Sequence, residues 1–260
     1  MKGRNLPDIN ASLDSILYKL TMAHLAKLDV YVPGPIKKAG GHKDKLLARF
    51  AADPMFSIWG LDSVEYVAAT LGGGTITSIH RKLGDVYQDC VNAIFSETLK
   101  VKPEQLTYSV MIKVGLGDEK RSADSYLQFD ELRPEDRKRV KRWCQDELRR
   151  LTADPRVDLK GVGLEIRSCY QSADKQRSRA DVALARHMML SGVLPVMPLF
   201  CNQSNPSVID TYRPIWVVKE GMDAYDMVKA FSGYDWFGFL KRNRDDFRKP
   251  AIEMIRKLTA

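Results

Sequence analysis

The sequence predicts an α/β protein, a mixed central β-sheet flanked by helices, with helical additions at the N- and C-terminal ends. Three observations predict it. The stretch LTYSVMIKVGLGDEKRSADSYLQF (106–129) alternates and is rich in β-formers on both sides of a polar interruption, which reads as a hairpin. The segment GVGLEIRS (161–168), a helical pattern and the apolar run GVLPVMPLFC (192–201) follow one another at the spacing of a β-α-β crossover. Stripes of apolar residues at helical period stand before and after this middle part. A length of 260 residues with 44% hydrophobic and 28% charged content suits one globular domain, 1–260, with its core at about 75–220.

Taken in order, Leu13, Ile16, Leu17, Leu20 and Leu25 make a core-facing helix over 12–28, with Asn10 or Ser12 as its cap. The cluster YVPGPIKKAGGHKDK (31–45) is loop. A shorter helix over 61–71 is expected to end at Gly72, Gly73 and Gly74. The next helix starts near Ser78 and runs to about Leu99 on the stripe Ile79, Leu83, Val86, Cys90 and Ile94. The triple glycine lacks the phosphate-cradling patterns GxxxxGK[ST] and GxGxxG, so it is read as an entry to a core helix. After the hairpin comes a helix over 133–150, whose eight Lys or Arg and four acids suggest a solvated face. The crossover follows, then a short strand IWVV (215–218), and helices over 222–231 and from Asp235 to the C-terminus. His187 beside Met188 and Met189 is read as a packing histidine. The aromatic group Tyr234, Trp236, Phe237 and Phe239 is read as core or dimer contact.

The net charge of +8 favours polyanionic partners, nucleic acid or an anionic membrane surface, and is also compatible with an ordinary basic protein. No apolar run reaches the roughly 18 residues of a membrane span, and MKGRNLPDIN lacks the apolar stretch of a signal peptide. Cys90, Cys144, Cys169 and Cys201 show neither CxxC spacing nor the density of a disulfide scaffold, so reduced thiols and a cytoplasmic location are expected.

The chemistry concentrates in GVGLEIRSCYQSADKQRSRADVALARHM (161–188). On a strand, Val162, Leu164 and Ile166 point one way and Glu165 and Arg167 the other. A carboxylate inside a sheet is costly unless paired, hydrogen-bonded or bound to a metal, and a salt bridge to Arg167 would satisfy it. Asp124 is carried on the second strand of the expected hairpin. Two acids on neighbouring strands with an adjacent cation also make a site for phosphodiester hydrolysis: the carboxylates hold Mg²⁺, the metal polarises the phosphate and acidifies a water, and the cation stabilises developing charge.

These residues resemble the type II restriction endonucleases of the PD-(D/E)XK nuclease superfamily. Asp124 matches that pattern's first acid and Glu165 its second, while Arg167 falls where the pattern has lysine. The helix signature SIHRKLGDVYQDCVNAIF and the polar, cationic continuation CYQSADKQRSRAD are similar to such enzymes as well, and the likeness covers roughly Ser78 to Phe200. The resemblance implies a restriction-endonuclease-like core and Mg²⁺-dependent cleavage of double-stranded DNA at a short, palindromic site by a homodimer, with Mn²⁺ as a possible substitute and no membrane partner. It implies Asp124 and Glu165 as metal ligands, and Arg167 or Lys175 as the catalytic cation, with Lys160 earlier on the same segment. Arginine stays protonated and cannot serve as a base. Gln171, Ser172, Lys175, Arg177 and Arg179 are candidate DNA contacts, joined by His80, Arg81 and Lys82 on the earlier helix. Asp174 and Asp181 are read as salt-bridge partners of Arg177 and Arg179, with a displaced metal ligand as the alternative for Asp181. Two other functions fit the same residues: a repair or recombination nuclease of the same fold, and a non-catalytic DNA-binding protein in which Glu165 and Arg167 form a buried ion pair.

Overall fold

The computed structural model of the chain describes residues 9–29, 43–52, 63–114, 117–151, 157–170 and 175–259. They form helices α1 (Ile9–Asp29), α2 (Lys43–Ala51), α3 (Val64–Leu99), α4 (Pro134–Leu151), α5 (Lys175–Leu190), α6 (Pro206–Tyr212), α7 (Met222–Ser232), α8 (Trp236–Arg242) and α9 (Arg244–Thr259). The strands are β1 (Tyr108–Val114), β2 (Gly117–Ala123), β3 (Ser125–Gln128), β4 (Gly161–Leu164), β5 (Val193–Leu199) and β6 (Val217–Glu220). The predicted α/β class with a mixed sheet flanked by helices is present.

The chain divides into two compact units, one of Met1–Tyr18 with Val86–Arg242 and one of Lys19–Asp85 with Asn243–Ala260. The first unit holds a four-stranded sheet of order β3-β4-β5-β6. In it β3 runs antiparallel to β4, and β4, β5 and β6 run parallel to one another. β5 is buried along its whole length, as its unbroken apolar sequence requires of a strand covered on both faces. One covering layer is α5 with α6, where Leu184, Ala185, Met188, Met197, Leu199, Val208 and Trp216 share a core. Elsewhere in the unit Phe231 of α7 stacks against Phe95 and Trp143, while Phe200, Tyr225 and Trp236 enclose Tyr87. Trp236, Phe239 and Tyr234 are buried, so this aromatic group is core. The α7 helix stops at Gly233, whose φ of 76° places it in the left-handed region that glycine adopts without strain, and whose N–H closes the last turn on Lys229.

In the second unit Leu46 packs with Val67 and Leu71, with Leu47 and Phe50 beside them. Ser63 begins α3 by accepting from the N–H of Tyr66.

Several sequence expectations give way. The helix break at Gly72–Gly74 is absent: α3 runs through it for 36 residues. Each glycine weakens a helix by only about 1 kcal/mol relative to alanine, which the packing of the flanking turns offsets. The residues GDEKR, expected as a turn, are strand: β2 pairs with β1 from Gly117 opposite Val114 to Ala123 opposite Tyr108. The chain then bends at Asp124, and SYLQ joins the other sheet through β4. Alternation marks both stretches as strand without marking their partners, so one expected hairpin is two pairings. The predicted loop over 31–45 lies outside the described residues except for its last three, which open α2. The short helix α6 had no place in the sequence reading, and the C-terminal helical stretch is two helices rather than one.

Candidate active site

Asp124 stands at the bend between β2 and β3, and the strand ladder fixes it there. Its N–H donates to the carbonyl of Leu164 at 2.9 Å, and its own carbonyl accepts from Asn92 Nδ2 of α3 at 3.0 Å. The β4 segment does not stop at Leu164 in hydrogen-bonding terms. Glu165 N–H donates to Val196 O, Arg167 N–H to Pro198 O, and Phe200 N–H to Arg167 O, each at 3.0–3.1 Å. Arg167 also forms an isolated parallel bridge with Leu199. Glu165 and Arg167 are thereby held beside β5, and the period of two sends them to the same side.

Asp124, Glu165 and Arg167 meet. Asp124 Oδ2 accepts from the backbone N–H of Ile166 at 2.8 Å and from Arg167 Nη1 at 2.9 Å, while Arg167 Nη2 is paired with Glu165 Oε1. Glu165 is 5% exposed, so its charge depends on the guanidinium for compensation. Among the described residues three buried polar atoms around this point have no hydrogen-bond partner: Arg167 Nε, Ser125 Oγ next to Asp124, and Asn92 Oδ1 on the side chain that holds Asp124. Buried polar atoms are ordinarily satisfied, and their local concentration singles out this end of the sheet. Nothing in the sequence pattern pointed to Ser125 or Asn92, because the first is a strand residue by alternation and the second lies on a distant helix.

Two carboxylates offer hard oxygen donors of the kind Mg²⁺ takes, and both are paired with Arg167 between them. Among the described residues no group of three or more His, Cys, Asp or Glu converges as a metal cage.

Past Arg167 the chain is stapled. Cys169 and Cys201 form a disulfide with Cα atoms 5.5 Å apart, which corrects the expectation of four reduced thiols; Cys90 and Cys144 are free and buried. β4 and β5 are parallel neighbours, so the residues just beyond their carboxyl ends emerge side by side. Ser204 Oγ accepts from Tyr170 N–H, and Asn205 N–H donates to Tyr170 O.

Asp181 also departs from expectation. It is buried, and its Oδ2 accepts from Tyr170 Oη at 2.8 Å and from Tyr212 Oη at 3.1 Å instead of pairing with Arg179. Burial pushes the Tyr170 phenol well up; the neighbouring Asp181 carboxylate raises it further, and the Arg167 guanidinium lowers it.

The remaining predicted contacts are dispersed. Arg179 lies exposed on α5. Lys175 and Arg177 lie on its first turn with their side chains outside the described residues, as are Gln171, Ser172 and Asp174 altogether. Lys160 precedes β4 at the opposite end from Arg167, about 20 Å away at roughly 3.3 Å per strand residue. His80, Arg81 and Lys82 belong to the second unit, where Arg81 is exposed and Lys82 pairs with Asp85 at 3.2 Å. The His80 side chain lies outside the described residues. No helix among the described residues is long and apolar enough to cross a membrane. Compared with protein-family models, curated proteins and solved structures, the chain matches none.

Proposed function

We propose that the protein is a Mg²⁺-dependent endonuclease that cleaves double-stranded DNA at a short specific site, a type II restriction enzyme acting as a homodimer. The observation that supports this reading is the convergence of Asp124, Glu165 and Arg167 at adjoining strand ends, with orphaned polar atoms beside them. Asp124 and Glu165 would hold the metal, whose chemistry when bound would be to polarise the scissile phosphate and acidify a water. Asp124 is oriented for this by the Ile166 N–H and the Asn92 amide, both anchored on rigid elements. Arg167 transfers no proton, because a guanidinium stays charged; it holds the two carboxylates apart from each other's repulsion and offers N–H donors to phosphate oxygens. The net charge of +8 draws the polyanion. A two-fold dimer places one such site on each strand of a palindrome.

Digestion of a long DNA of known sequence with Mg²⁺, and with chelator, followed by sequencing of the ends, tests the reading. Fixed ends that vanish with chelator are expected, and Asp124→Asn lowers the rate by at least about 100-fold, the equivalent of the several kcal/mol a metal contributes. DNA left intact, or cut equally well by Asp124→Asn, overturns it.

A second reading is favoured by the same ion triad: Arg167 already satisfies both acids, as in a non-catalytic DNA-binding protein. Metal-independent binding with no cleavage of any sequence supports that alternative. Cleavage that depends on a junction, flap or lesion supports a repair nuclease instead.

A further inference from the structure

Beside the candidate site, α5 and α6 enclose a groove of about 490 Å³. Arg179 and Arg186 of α5 line it, with Ser178, Ser207 and Thr211 and an apolar floor that includes the buried Val208. Several other arginines and a lysine of this unit are held by acids: Arg133 and Arg139 by Asp136, Arg150 and Lys219 by Glu147, and Arg213 by Asp210 and Glu220. Arg179 and Arg186 are exposed, and among the described residues neither guanidinium has an acidic partner.

The helix direction relates this groove to the acids. Gly192, just past α5, accepts from the N–H of Lys160 at the start of β4, so the end of α5 lies at the start of the strand. The beginning of α5 is accordingly at the carboxyl ends of β4 and β5, where Asp181 bonds to Tyr170, three residues beyond Arg167. Tyr212 Oη bridges this cluster to Ser178 Oγ at 3.2 Å, inside the groove. Arg179 is thus at the candidate site's end of the groove, and Arg186 stands about 10 Å farther along at 1.5 Å rise per residue.

We infer that this groove seats the sugar-phosphate backbone of the DNA on which Asp124 and Glu165 act. The inference rests on the nuclease reading and deepens it. Each guanidinium takes one phosphate through paired N–H donors, and the apolar floor takes the C–H faces of the sugar between them. Ser207 and Thr211 already donate to Asn205 Oδ1 and Val208 O, so the arginines supply the donors. Such contacts position the duplex without reading its bases.

The test is fluorescence anisotropy of a labelled duplex in chelator, from 50 to 200 mM salt, with the parent protein, Arg179→Ala/Arg186→Ala and Arg179→Gln/Arg186→Gln. Both double variants are expected to weaken binding equally for two duplexes of unrelated sequence, and to reduce the slope of log K against log salt by about 1.8, or roughly 0.9 per phosphate. A control at Arg149, an exposed cation of α4 partnered by Asp146, leaves the slope unchanged. If the parent cuts DNA at fixed ends and both double variants keep its slope, the groove inference falls while the nuclease reading stands. If the parent binds no duplex, both fall. Competition by 10 mM inorganic phosphate without a sequence-independent loss of duplex binding in the variants assigns the groove to a free anion and overturns the inference.

Discussion

Arg167 makes the most consequential contacts of any single side chain described. One guanidinium bridges Asp124 and Glu165, and its backbone ties β4 to β5 on both sides. Removing one partner of a buried pair leaves an uncompensated charge, whereas replacing the whole pair by apolar groups is often neutral. Arg167→Ala is therefore expected to destabilise the protein by about 3 kcal/mol, while Asp124→Asn/Glu165→Gln/Arg167→Met, which leaves neither carboxylate unpaired, stays much closer to the parent. Urea denaturation midpoints check this. An Arg167→Ala midpoint equal to the parent's contradicts the buried-pair account, and equal losses in the two variants do so as well. The same residues were legible in sequence because alternation alone puts Glu165 and Arg167 on one side of a strand. The third member, Asp124, was expected on a neighbouring strand, and it stands at the bend that precedes one.

At the scale of elements, glycine separates two kinds of position. A Cβ on Gly72, inside α3, meets nothing within 4 Å, so Gly72→Ala should stabilise by about 1 kcal/mol through helix propensity. A Cβ on Gly161 would lie 2.8 Å from the carbonyl oxygen of Leu127 and 2.8 Å from the Tyr126 ring, both on the paired strand β3. Gly161→Ala should therefore cost about 1–3 kcal/mol, as overpacking does. At Gly163 the nearest atoms are the flexible tip of Met188, and the cost is smaller. Thermal unfolding should place Gly72→Ala highest, Gly163→Ala next and Gly161→Ala lowest; a destabilised Gly72→Ala would mean that the glycine serves a local conformation α3 does not display. Strand and helix identity came through well from period and composition at this scale. Strand partners did not, as the division of 106–129 between two sheets shows, because alternation records a buried face and says nothing of which neighbour supplies the hydrogen bonds.

For the molecule as a whole, buried phenols set a limit at high pH. Burial, before any other cause, pushes the hydroxyls of Tyr87, Tyr170 and Tyr225 above their ordinary value of 10.0, although a hydrogen bond from Tyr225 lowers that of Tyr87. Below pH 10 both folded and unfolded chains keep these protons and stability is unaffected. Above it the unfolded chain releases protons that the folded chain retains, so stability falls as pH rises, by up to about 1.4 kcal/mol per pH unit for each retained proton. Urea midpoints should be level from pH 8 to 9.5 and drop at 10.5 and 11, with the full tyrosinate absorbance of the ten tyrosines reached only on unfolding. Ionisation of all ten tyrosines near pH 10 in the folded protein would contradict the burial of all three.

The sequence by itself determined the α/β class, most of the helices, the apolar strand β5 and the pairing of an acid with a cation at Glu165 and Arg167. These follow from local periodicity, which each segment carries independently of its neighbours. Only the tertiary structure decided that β3 pairs with β4 and not with β1, that Cys169 meets Cys201, that Asp181 turns to two tyrosines, and that Arg179 and Arg186 share a groove with α6. Those outcomes depend on which segments lie side by side, from 11 residues apart for Tyr170 and Asp181 to 39 for Ser125 and Leu164, a choice made by the packing of the whole core and not by any one stretch within it.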